Sequence, residues 1–438
     1  MSKKNGQCES LVIQGGRVID PGSNFDEEAD LFIEKGRIKE IRSRKTQKSS
    51  SRTSMPVIDA TEKIVVPGLI DMHVHLREPG REDEETIVSG SEAAMAGGFT
   101  GVACMPNTEP PIDDGSVVRF VLRKAESTPI KVYPVAAITK GRQGKELTEI
   151  GDLVSAGAVA VSDDGSPLSD PEIMRRALEY TKMFDIPIIS HCEDLSLTSR
   201  GVMNEGRMST LLGLRGMPPV AEEIMVARDI ALTEYTGGRL HIAHVSTARS
   251  VELIREAKRR GVRVTAEATP HHFSLNDESL RTFDTNLKMN PPLRTARDVE
   301  AIKEGLADGT IDVIASDHAP HSIEEKEVEF DAAPFGIIGL ETTLGLVLTE
   351  LVEPGVFDFS AAFATMTLHP AQILGVEGGR LQKGEKADVT IIDPLKKWTV
   401  AVHRFKSKSR NSPFGGRELT GKIECVIIDG VTVFRSQN

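Results

Sequence analysis

Short apolar runs alternate with amphipathic segments through the middle of the chain. Eight β-rich runs occur there, at residues 69–72, 100–105, 131–136, 158–162, 187–190, 240–243, 262–266 and 311–315. Segments with apolar residues at helical spacing separate most of them, at residues 171–184, 219–235, 249–260 and 296–307. In residues 249–260, Val251, Ile254 and Ala257 share one face and charged residues occupy the other. Eight strands alternating with helices predict an α/β fold, a (β/α)8 TIM barrel.

Both ends of the chain show a different pattern, with β-like runs around glycine turns. These runs lie at residues 11–20 and 30–38, and again at residues 387–393 and 425–434. We therefore predict a small β-sandwich domain formed from both chain ends. Its N-terminal part is predicted at residues 1–67, the barrel at residues 68–375 and its C-terminal part at residues 376–438.

Residues 43–54 contain only Ser, Lys, Arg, Thr and Gln. This composition predicts a mobile surface loop. The alternative is a basic patch for nucleic acid, but no aromatic residue is interleaved with the basic ones.

Composition narrows the possible partners and the compartment. The 438-residue chain has a formal net charge of −12, which argues against nucleic acid or an anionic membrane as a partner. An anionic substrate would then have to be met by locally placed Arg or His. The four cysteines show no CxxC spacing, which favours free thiols in a reducing compartment. No apolar signal segment or long apolar span is apparent, so we expect a soluble cytoplasmic protein.

Side chains able to bind a metal or an amide follow most of the eight runs. They are His73 and His75 after the first run, Asn107 after the second, Asp163 and Asp164 after the fourth, His191 after the fifth, His244 after the sixth and Asp317 after the eighth. In a (β/α)8 barrel the C-terminal ends of the strands surround the active site. The sequence therefore predicts that these groups meet at one mouth.

The spacing of His73 and His75 suits metal binding, since residues two apart on a strand point to the same side. Imidazole and carboxylate ligands suit zinc, which binds them at roughly 2.0–2.2 Å. The candidates number six: His73, His75, Asp164, His191, His244 and Asp317. Six candidate ligands are more than the four of a closed zinc site. Two arrangements therefore remain open: two neighbouring zinc ions that share a carboxylate, or one ion with spare catalytic groups. Such ions lower the pKa of bound water to about 7 and polarise a carbonyl.

Each residue taken alone has a structural alternative. A single barrel histidine is more often a packed or hydrogen-bonded core residue, and the Asp163–Asp164 pair before a glycine could form a turn or a helix cap. Asp317 could also cap a helix. We interpret His271 and His272, after the seventh run, as supporting or packing residues, with a role as metal ligands as the alternative. The remaining expectations are structural roles for His241, His369 and His403, and a Cys192 side chain pointing away from His191.

These motifs resemble the dihydroorotases of the amidohydrolase superfamily. The resemblance rests on residues 67–80, which contain His73-Val74-His75-Leu76-Arg77, and on residues 105–108, 190–194, 244–247, 290–294, 316–321 and 384–388 in the same order. It extends from Gly15 to Gly430. Many superfamily members carry a bridging carboxylated lysine after the fourth strand, whereas residues 161–165 here contain none. This resembles the long bacterial class (type I) and implies that Asp164, or failing that Asp163, takes the bridging position.

The resemblance also implies a reaction and roles for individual residues. The reaction is the reversible, zinc-dependent hydrolysis of L-dihydroorotate to N-carbamoyl-L-aspartate in de novo pyrimidine (UMP) biosynthesis. Asp317 is expected to act as general base and then general acid. The residues expected to contact substrate are His75, Arg77, Asn107, Asn290, His321, Phe335 and Gly336, with Arg77, Asn107 and His321 at the carboxylate. A homodimer and a complex with aspartate transcarbamoylase are the expected assemblies.

Two other functions share parts of this pattern. An allantoinase or hydantoinase would use the same metal chemistry on another cyclic amide. A non-catalytic scaffold for aspartate transcarbamoylase would keep the fold but lose ligands, and none of the six candidates is lost here. Arg77 on its own could also be a surface salt-bridge residue.

Overall fold

The computed structural model describes residues 10–46 and 55–436. Its first five strands are β1 (Leu11–Asp20), β2 (Phe25–Glu34), β3 (Arg37–Ser43), β4 (Val57–Asp59) and β5 (Ile64–Pro67). β3 ends at Ser43, and a 3-10 turn follows at Arg44–Thr46. The rest of the predicted surface loop, residues 47–54, lies outside the described residues.

An eight-stranded parallel sheet forms the middle of the chain and confirms the predicted barrel class. The strands from here to the end of the barrel are β6 (Leu69–Val74), β7 (Phe99–Cys104), β8 (Lys131–Ala136), β9 (Ala160–Ser162), β10 (Ile188–Ser190), β11 (Met203–Asn204), β12 (Gly216–Met217), β13 (Leu240–Ile242), β14 (Val264–Ala268) and β15 (Val313–Ile314). β11 and β12 pair only with each other, in the loop after β10. The other eight are hydrogen-bonded in chain order.

Hydrogen bonds between the β6 region and the residues after β15 nearly close the sheet. The His75 amide donates to the carbonyl oxygen of His318 at 2.8 Å, and Val74 forms a parallel bridge with His318. The Ile70 amide donates to Met366 at 2.7 Å, beyond the end of β15. The buried Asp71 carboxylate also accepts from the amides of His73 and Ser316. The residues after β6 and β15 are therefore fixed against each other.

Helices cover the outside of the barrel or lie in its loops. They are α1 (Ile87–Ala96), α2 (Gly115–Ala125), α3 (Ile150–Ala156), α4 (Pro171–Thr181), α5 (Leu195–Thr198), α6 (Arg207–Leu212), α7 (Val220–Thr236), α8 (Ala248–Arg259), α9 (Pro270–Ser274), α10 (Ala296–Ala307), α11 (Ile323–Lys326), α12 (Thr343–Val347), α13 (Phe359–Ala364) and α14 (Leu368–Leu374). The helical periodicity of residues 249–260 is realised in α8, where Val251, Ile254 and Ala257 are buried. Among the described residues, no helix is both long enough and apolar enough to cross a membrane.

Strands from the two chain ends pair in a second sheet, as the sequence predicts. The last three strands are β16 (Val389–Thr399), β17 (Glu418–Ile428) and β18 (Val431–Arg435). β5 joins the halves, pairing with β1 on one side and antiparallel with β16 on the other. Apolar residues of both halves, including Ile13, Leu31, Val389 and Ile427, share one buried core.

Candidate metal centre

The C-terminal end of β6 places His73, and His75 just after it, in the barrel mouth. The Nε2 atom of His73 lies 3.5 Å from Asp164 Oδ1 and 3.6 Å from Asp317 Oδ1. The Nε2 atom of His75 lies 3.1 Å from Asp317 Oδ1. All four side chains are buried. The two imidazoles therefore converge on the same carboxylates, as their spacing predicts.

Asp164 lies between two groups of imidazoles. Its Oδ1 atom is 3.5 Å from His191 Nδ1 and 3.5 Å from His244 Nε2, while its Oδ2 atom is 3.6 Å from His75 Nε2. Its two oxygens therefore face different histidines. The structure thus brings all six predicted ligand residues together.

Several buried atoms of this cluster lack hydrogen-bond partners. They are His73 Nε2, Asp164 Oδ1 and His244 Nδ1. Buried polar atoms without partners are costly and rare in folded proteins. Two sets, His73 with His75 and Asp317, and His73 with Asp164 and His244, each have ligand atoms within 4.8 Å of one another. The donor set, with the unpartnered His73 Nε2 and Asp164 Oδ1 atoms, fits a cation with nitrogen and oxygen ligands.

The charges within the cluster stabilise one another. Burial opposes ionisation of Asp164, but His73, His191 and His244 lower its pKa well below the ordinary value. Asp317 is likewise desolvated, and His75, His73 and His244 lower its pKa, so this carboxylate is ionised at neutral pH. In the imidazoles, burial opposes protonation, yet Asp164 and Glu193 raise the pKa of His191 to about 10. A bound cation would displace such protons, since it competes for the same nitrogen atoms.

The two neighbouring aspartates after β9 have different surroundings. Asp163 Oδ1 accepts from the amides of Ile138 (2.9 Å) and Thr139 (3.1 Å), and its Oδ2 accepts from the Thr139 hydroxyl. Asp163 therefore anchors the loop after β8. The Asp164 amide is held by the Ser162 hydroxyl at 2.9 Å, which leaves its carboxylate directed into the cluster. Asp164, the first choice from the sequence, is the one that meets the histidines.

Glu267 on β14 is a supporting residue that the sequence analysis did not identify. Its carboxylate lies 2.5 Å from His73 Nδ1 and 3.2 Å from His241 Nε2. A carboxylate on Nδ1 fixes the tautomer and leaves Nε2 free to bind a metal. The available signal was a glutamate within the apolar run Val264–Ala268. Glu193, 3.1 Å from His191 Nε2, is a second such residue.

Arg77 lies beside the cluster at a left-handed backbone position (φ 61°). Its Nε atom is 2.9 Å from Glu84 Oε2 and donates to the Pro320 carbonyl at 3.1 Å. Its NH2 group is 3.4 Å from His321 Nε2. The structure thus places Arg77 and His321 together, as predicted, and adds the buried Glu84 as their common partner.

The other predicted substrate residues surround the same mouth. Asn107 Oδ1 lies 2.8 Å from His75 Nδ1, and Asn290 Nδ2 donates to Glu193 at 2.8 Å. The Phe335 carbonyl accepts from His321 Nε2 at 2.8 Å, and the Gly336 amide donates to the backbone carbonyl of Lys288 at 2.9 Å. Gly336 has φ 128°, and a Cβ atom there would lie 2.7 Å from the Cβ of Ala319. Glycine is therefore required for this close approach.

Hydrogen bonds outside the metal cluster hold His272, His241 and Cys192. His272 hydrogen-bonds to Thr269 and to the Pro291 carbonyl, which leaves no nitrogen for a metal. His271 is buried, and its Nε2 atom has no partner. His241 is occupied by Thr265 and Glu267. The Cys192 thiol contacts Ser190 and Asp229 instead of the cluster.

Comparison with known proteins agrees with this geometry. Residues 62–250 match the Dihydro-orotase-like family, and residues 221–434 match the Amidohydrolase family. A protein named dihydroorotase from Pelotomaculum thermopropionicum is 56% identical over 98% of this chain and 99% of its own. Another from Syntrophotalea carbinolica is 55% identical over 97% of this chain and 99% of its own. The chain belongs to the dihydroorotase family.

Solved structures of related enzymes support the fold of this dihydroorotase family member. An L-hydantoinase (dihydropyrimidinase) from Arthrobacter aurescens has a TM-score of 0.88 at 25% identity, covering 98% of this chain and 97% of that one. A dihydropyrimidinase from Brevibacillus agri has a TM-score of 0.83 at 22% identity, covering 97% and 95%. Amidohydrolases of this kind are metal-dependent, and the clustered histidines and aspartates are candidate ligands.

Proposed function

We propose that this chain is a dihydroorotase that catalyses the reversible hydrolysis of L-dihydroorotate to N-carbamoyl-L-aspartate. The observation that carries the proposal is the position of Asp164, whose two oxygens face His73, His191 and His244 on one side and His75 on the other. Full-length relatives named dihydroorotase support the choice of substrate. The pathway we propose is de novo pyrimidine biosynthesis.

We propose zinc, as one or two ions per subunit, for the metal. The residues that would hold it are His73, His75, Asp164, His191, His244 and Asp317. When bound, zinc lowers the pKa of water to about 7 and polarises a carbonyl oxygen. Glu267 and Glu193 would orient the rings of His73 and His191 through their second nitrogen atoms.

Asp317 is the proposed proton carrier. Its lowered pKa keeps the carboxylate ionised at neutral pH, as a base must be. In hydrolysis it would take a proton from the attacking water and return it to the ring nitrogen as the amide bond breaks. In ring closure the same carboxylate would take the proton from the carbamoyl nitrogen. Its burial keeps bulk water from competing for that proton.

The substrate carboxylate is assigned to Arg77, together with Asn107 and His321. A guanidinium can hold a carboxylate by two parallel hydrogen bonds. Arg77 is nearly buried, so this charge pair would be weakly screened. His75, Asn290 and the backbone of Phe335 and Gly336 are proposed to contact the ring.

The decisive experiment measures hydrolysis of L-dihydroorotate by the isolated chain, with zinc content recorded in parallel. Dihydrouracil, the same ring without the carboxylate, is the matched substrate. We expect strong preference for dihydroorotate, and Arg77→Ala should raise the KM for dihydroorotate about tenfold or more while changing dihydrouracil turnover little. A protein that contains no zinc and stays inactive when zinc is added would reject the proposal.

A general cyclic amidase of the hydantoinase type is the second candidate, favoured by the structural likeness to the Arthrobacter aurescens enzyme. It predicts comparable rates on dihydrouracil and dihydroorotate, and a KM for dihydroorotate that Arg77→Ala leaves unchanged. A non-catalytic scaffold for aspartate transcarbamoylase predicts no bound zinc. Both outcomes are read from the same assay.

We propose the predicted domain division as well, with residues 68–375 as the hydrolase unit and residues 1–67 and 376–438 as the small domain. A homodimer and a complex with aspartate transcarbamoylase stay proposals, which size-exclusion chromatography with and without the transcarbamoylase would test. A cytoplasmic location also stays a prediction from the sequence.

A further inference from the structure

A cavity of about 720 Å³ lies between the barrel and the small domain, away from the metal cluster. Its walls come from the end of α1, from α12 and from strands β16, β17 and β18. Small-molecule sites commonly have a volume of about 300–1,000 Å³ and often lie between domains. This cavity is therefore large enough for a metabolite.

Aromatic side chains are concentrated in the wall of this cavity. Trp398, Phe405 and Phe434 all line it, in a chain with only 4% aromatic residues. The indole Nε1 of Trp398 donates to the Gly421 carbonyl at 2.9 Å, which fixes the orientation of the ring. Trp398, Phe405 and Phe434 are half-buried. Such rings can stack against a planar heterocycle.

The charge of the wall is opposite to that of the whole chain. Arg404, Lys406, Lys422 and Arg435 line the cavity, although the net charge of the chain is −12. Across residues 10–46 and 55–436, the side chains of Arg404, Lys406 and Lys422 have no ion-pair partner. Basic groups left unpaired around a concave surface attract an anion.

Glu341 is the single acidic residue among the described residues of the wall. Its Oε1 atom accepts hydrogen bonds from the Lys406 amide at 2.7 Å and the Ser407 amide at 3.2 Å. This carboxyl therefore anchors the 404–407 segment to α12 and its preceding loop. Burial raises the pKa of Glu341 to about 7, which reduces its charge opposite an anion.

We propose that this cavity binds a planar aromatic anion of the nucleoside monophosphate class, with the base against Trp398 and the phosphate at Lys406 and Lys422. The aromatic side chains of the wall would bind the ring, and the unpaired basic side chains would bind the phosphate. Both features are needed to select a nucleoside monophosphate over other ligands. The proposal does not rest on the proposed function, because the metal cluster takes no part in it.

Trp398 is the single tryptophan of the chain, so its fluorescence reports on this cavity alone. Uridine 5′-monophosphate and adenosine 5′-monophosphate would be titrated into the full-length protein, with excitation at the red edge of the tryptophan band. Two further ligands test each part alone: ribose 5-phosphate carries the phosphate without the base, and uridine carries the base without the phosphate. We expect a saturable change with at least one nucleotide and a much weaker one with either part. Saturating dihydroorotate should leave the nucleotide titration unchanged.

A Lys406→Gln/Lys422→Gln double variant should weaken nucleotide binding about tenfold or more. Lys145→Gln, at an exposed lysine outside the cavity wall, is the matched control and should bind normally. Thermal melts would establish that both variants are folded. The proposal is overturned if neither nucleotide changes the emission, if ribose 5-phosphate binds as tightly as the nucleotides, or if the double variant binds like the control.

Discussion

The carboxylate of Glu84 holds Arg77 and His321 at the same time. Its Oε2 atom lies 2.9 Å from Arg77 Nε, and its Oε1 atom lies 3.0 Å from His321 Nδ1. Arg81 adds a contact at 3.0 Å to the same carboxylate. Glu84 therefore links the segment after β6 to the segment after β15, and positions the two groups assigned to the substrate carboxylate.

Replacing Glu84 by Gln should impair substrate binding more than chemistry. The variant keeps the size of the side chain but removes the charge that orients Arg77, so we expect KM for dihydroorotate to rise about tenfold with kcat nearly unchanged. Steady-state kinetics measure both parameters. Glu92→Gln, at an exposed glutamate of α1, is the control. An unchanged KM would mean that Arg77 is held by other contacts.

Asp317→Asn should abolish turnover while leaving most of the metal bound. The amide keeps an oxygen for the contact with His75 Nε2, now at 3.1 Å, but cannot accept and return a proton. We expect kcat to fall by about 10²–10⁴-fold. Metal analysis of the same preparation separates the two roles, and loss of metal together with activity would assign Asp317 chiefly as a ligand.

Glu267→Gln tests the residue that supports His73. The neutral side chain would weaken the 2.5 Å contact with His73 Nδ1 and make the ring a poorer ligand. We expect metal affinity to fall about 10–100-fold. Competition with a chromophoric zinc chelator measures this, with Glu256→Gln on the exposed face of α8 as control. Equal affinities in the two variants would show that Glu267 serves packing alone.

Asp163 and Asp164 should respond to alanine in opposite ways. Asp163→Ala leaves buried donors of Ile138 and Thr139 unpaired, and should cost about 2–4 kcal/mol of unfolding free energy with metal retained. Asp164→Ala should lose metal with a smaller effect on the stability of the apoprotein. Denaturant unfolding and metal analysis give the two readouts. Metal loss from the Asp163 variant alone would reverse the assignment.

Lys326 should give the protein a pH-dependent stability. Its buried ammonium donates to the carbonyls of Thr285 and Pro334, and burial lowers its pKa to about 7. Between about pH 7 and pH 10 the unfolded chain binds a proton there that the folded chain does not. This group therefore makes the folded state more stable as pH rises through that window, by up to about 1.4 kcal/mol per pH unit.

Comparing the wild-type protein with Lys326→Met isolates this effect, because other groups titrate equally in both. We expect the unfolding free energy of Lys326→Met, measured with urea at several pH values, to rise less steeply with pH. Lys303→Met, at a partly exposed lysine of α10, serves as control. Parallel pH profiles for Lys326→Met and wild type would contradict the prediction.

Residues at strand ends were predictable because strand alternation is local and because the repeated strand–helix pattern implies that the C-terminal ends of the strands meet. His73 and His75 share a side by alternation alone, and the parallel order of strands brings Asp164, His191 and His244 to the same mouth. The residues at which strands begin and end were less predictable. The run at residues 311–315 is a strand only at Val313–Ile314, although the amides of Asp312 and Ala315 also donate to the carbonyls of Ala266 and Ala268 in β14.

Supporting residues escaped the sequence analysis because their partners are distant in the chain. Glu267 is 194 residues from His73, and a glutamate in an apolar run does not indicate which buried base it neutralises. Glu84 likewise resembles its exposed neighbours Glu82 and Asp83, although it is buried. Distinguishing Asp163 from Asp164 required the amides of the preceding loop, which only the folded backbone positions.

The pairing of β5 with β16 has a consequence for how the molecule is made. Val65 lies opposite Ile391, so strands emerging early and late from the ribosome are direct neighbours. The β16–β18 half is made only after every barrel strand, and until then the edge of β5 is open. A ribosome-bound nascent chain that ends before β16 would expose that edge while its barrel strands are already made. The translation of β16 thus decides when the apolar edge is covered.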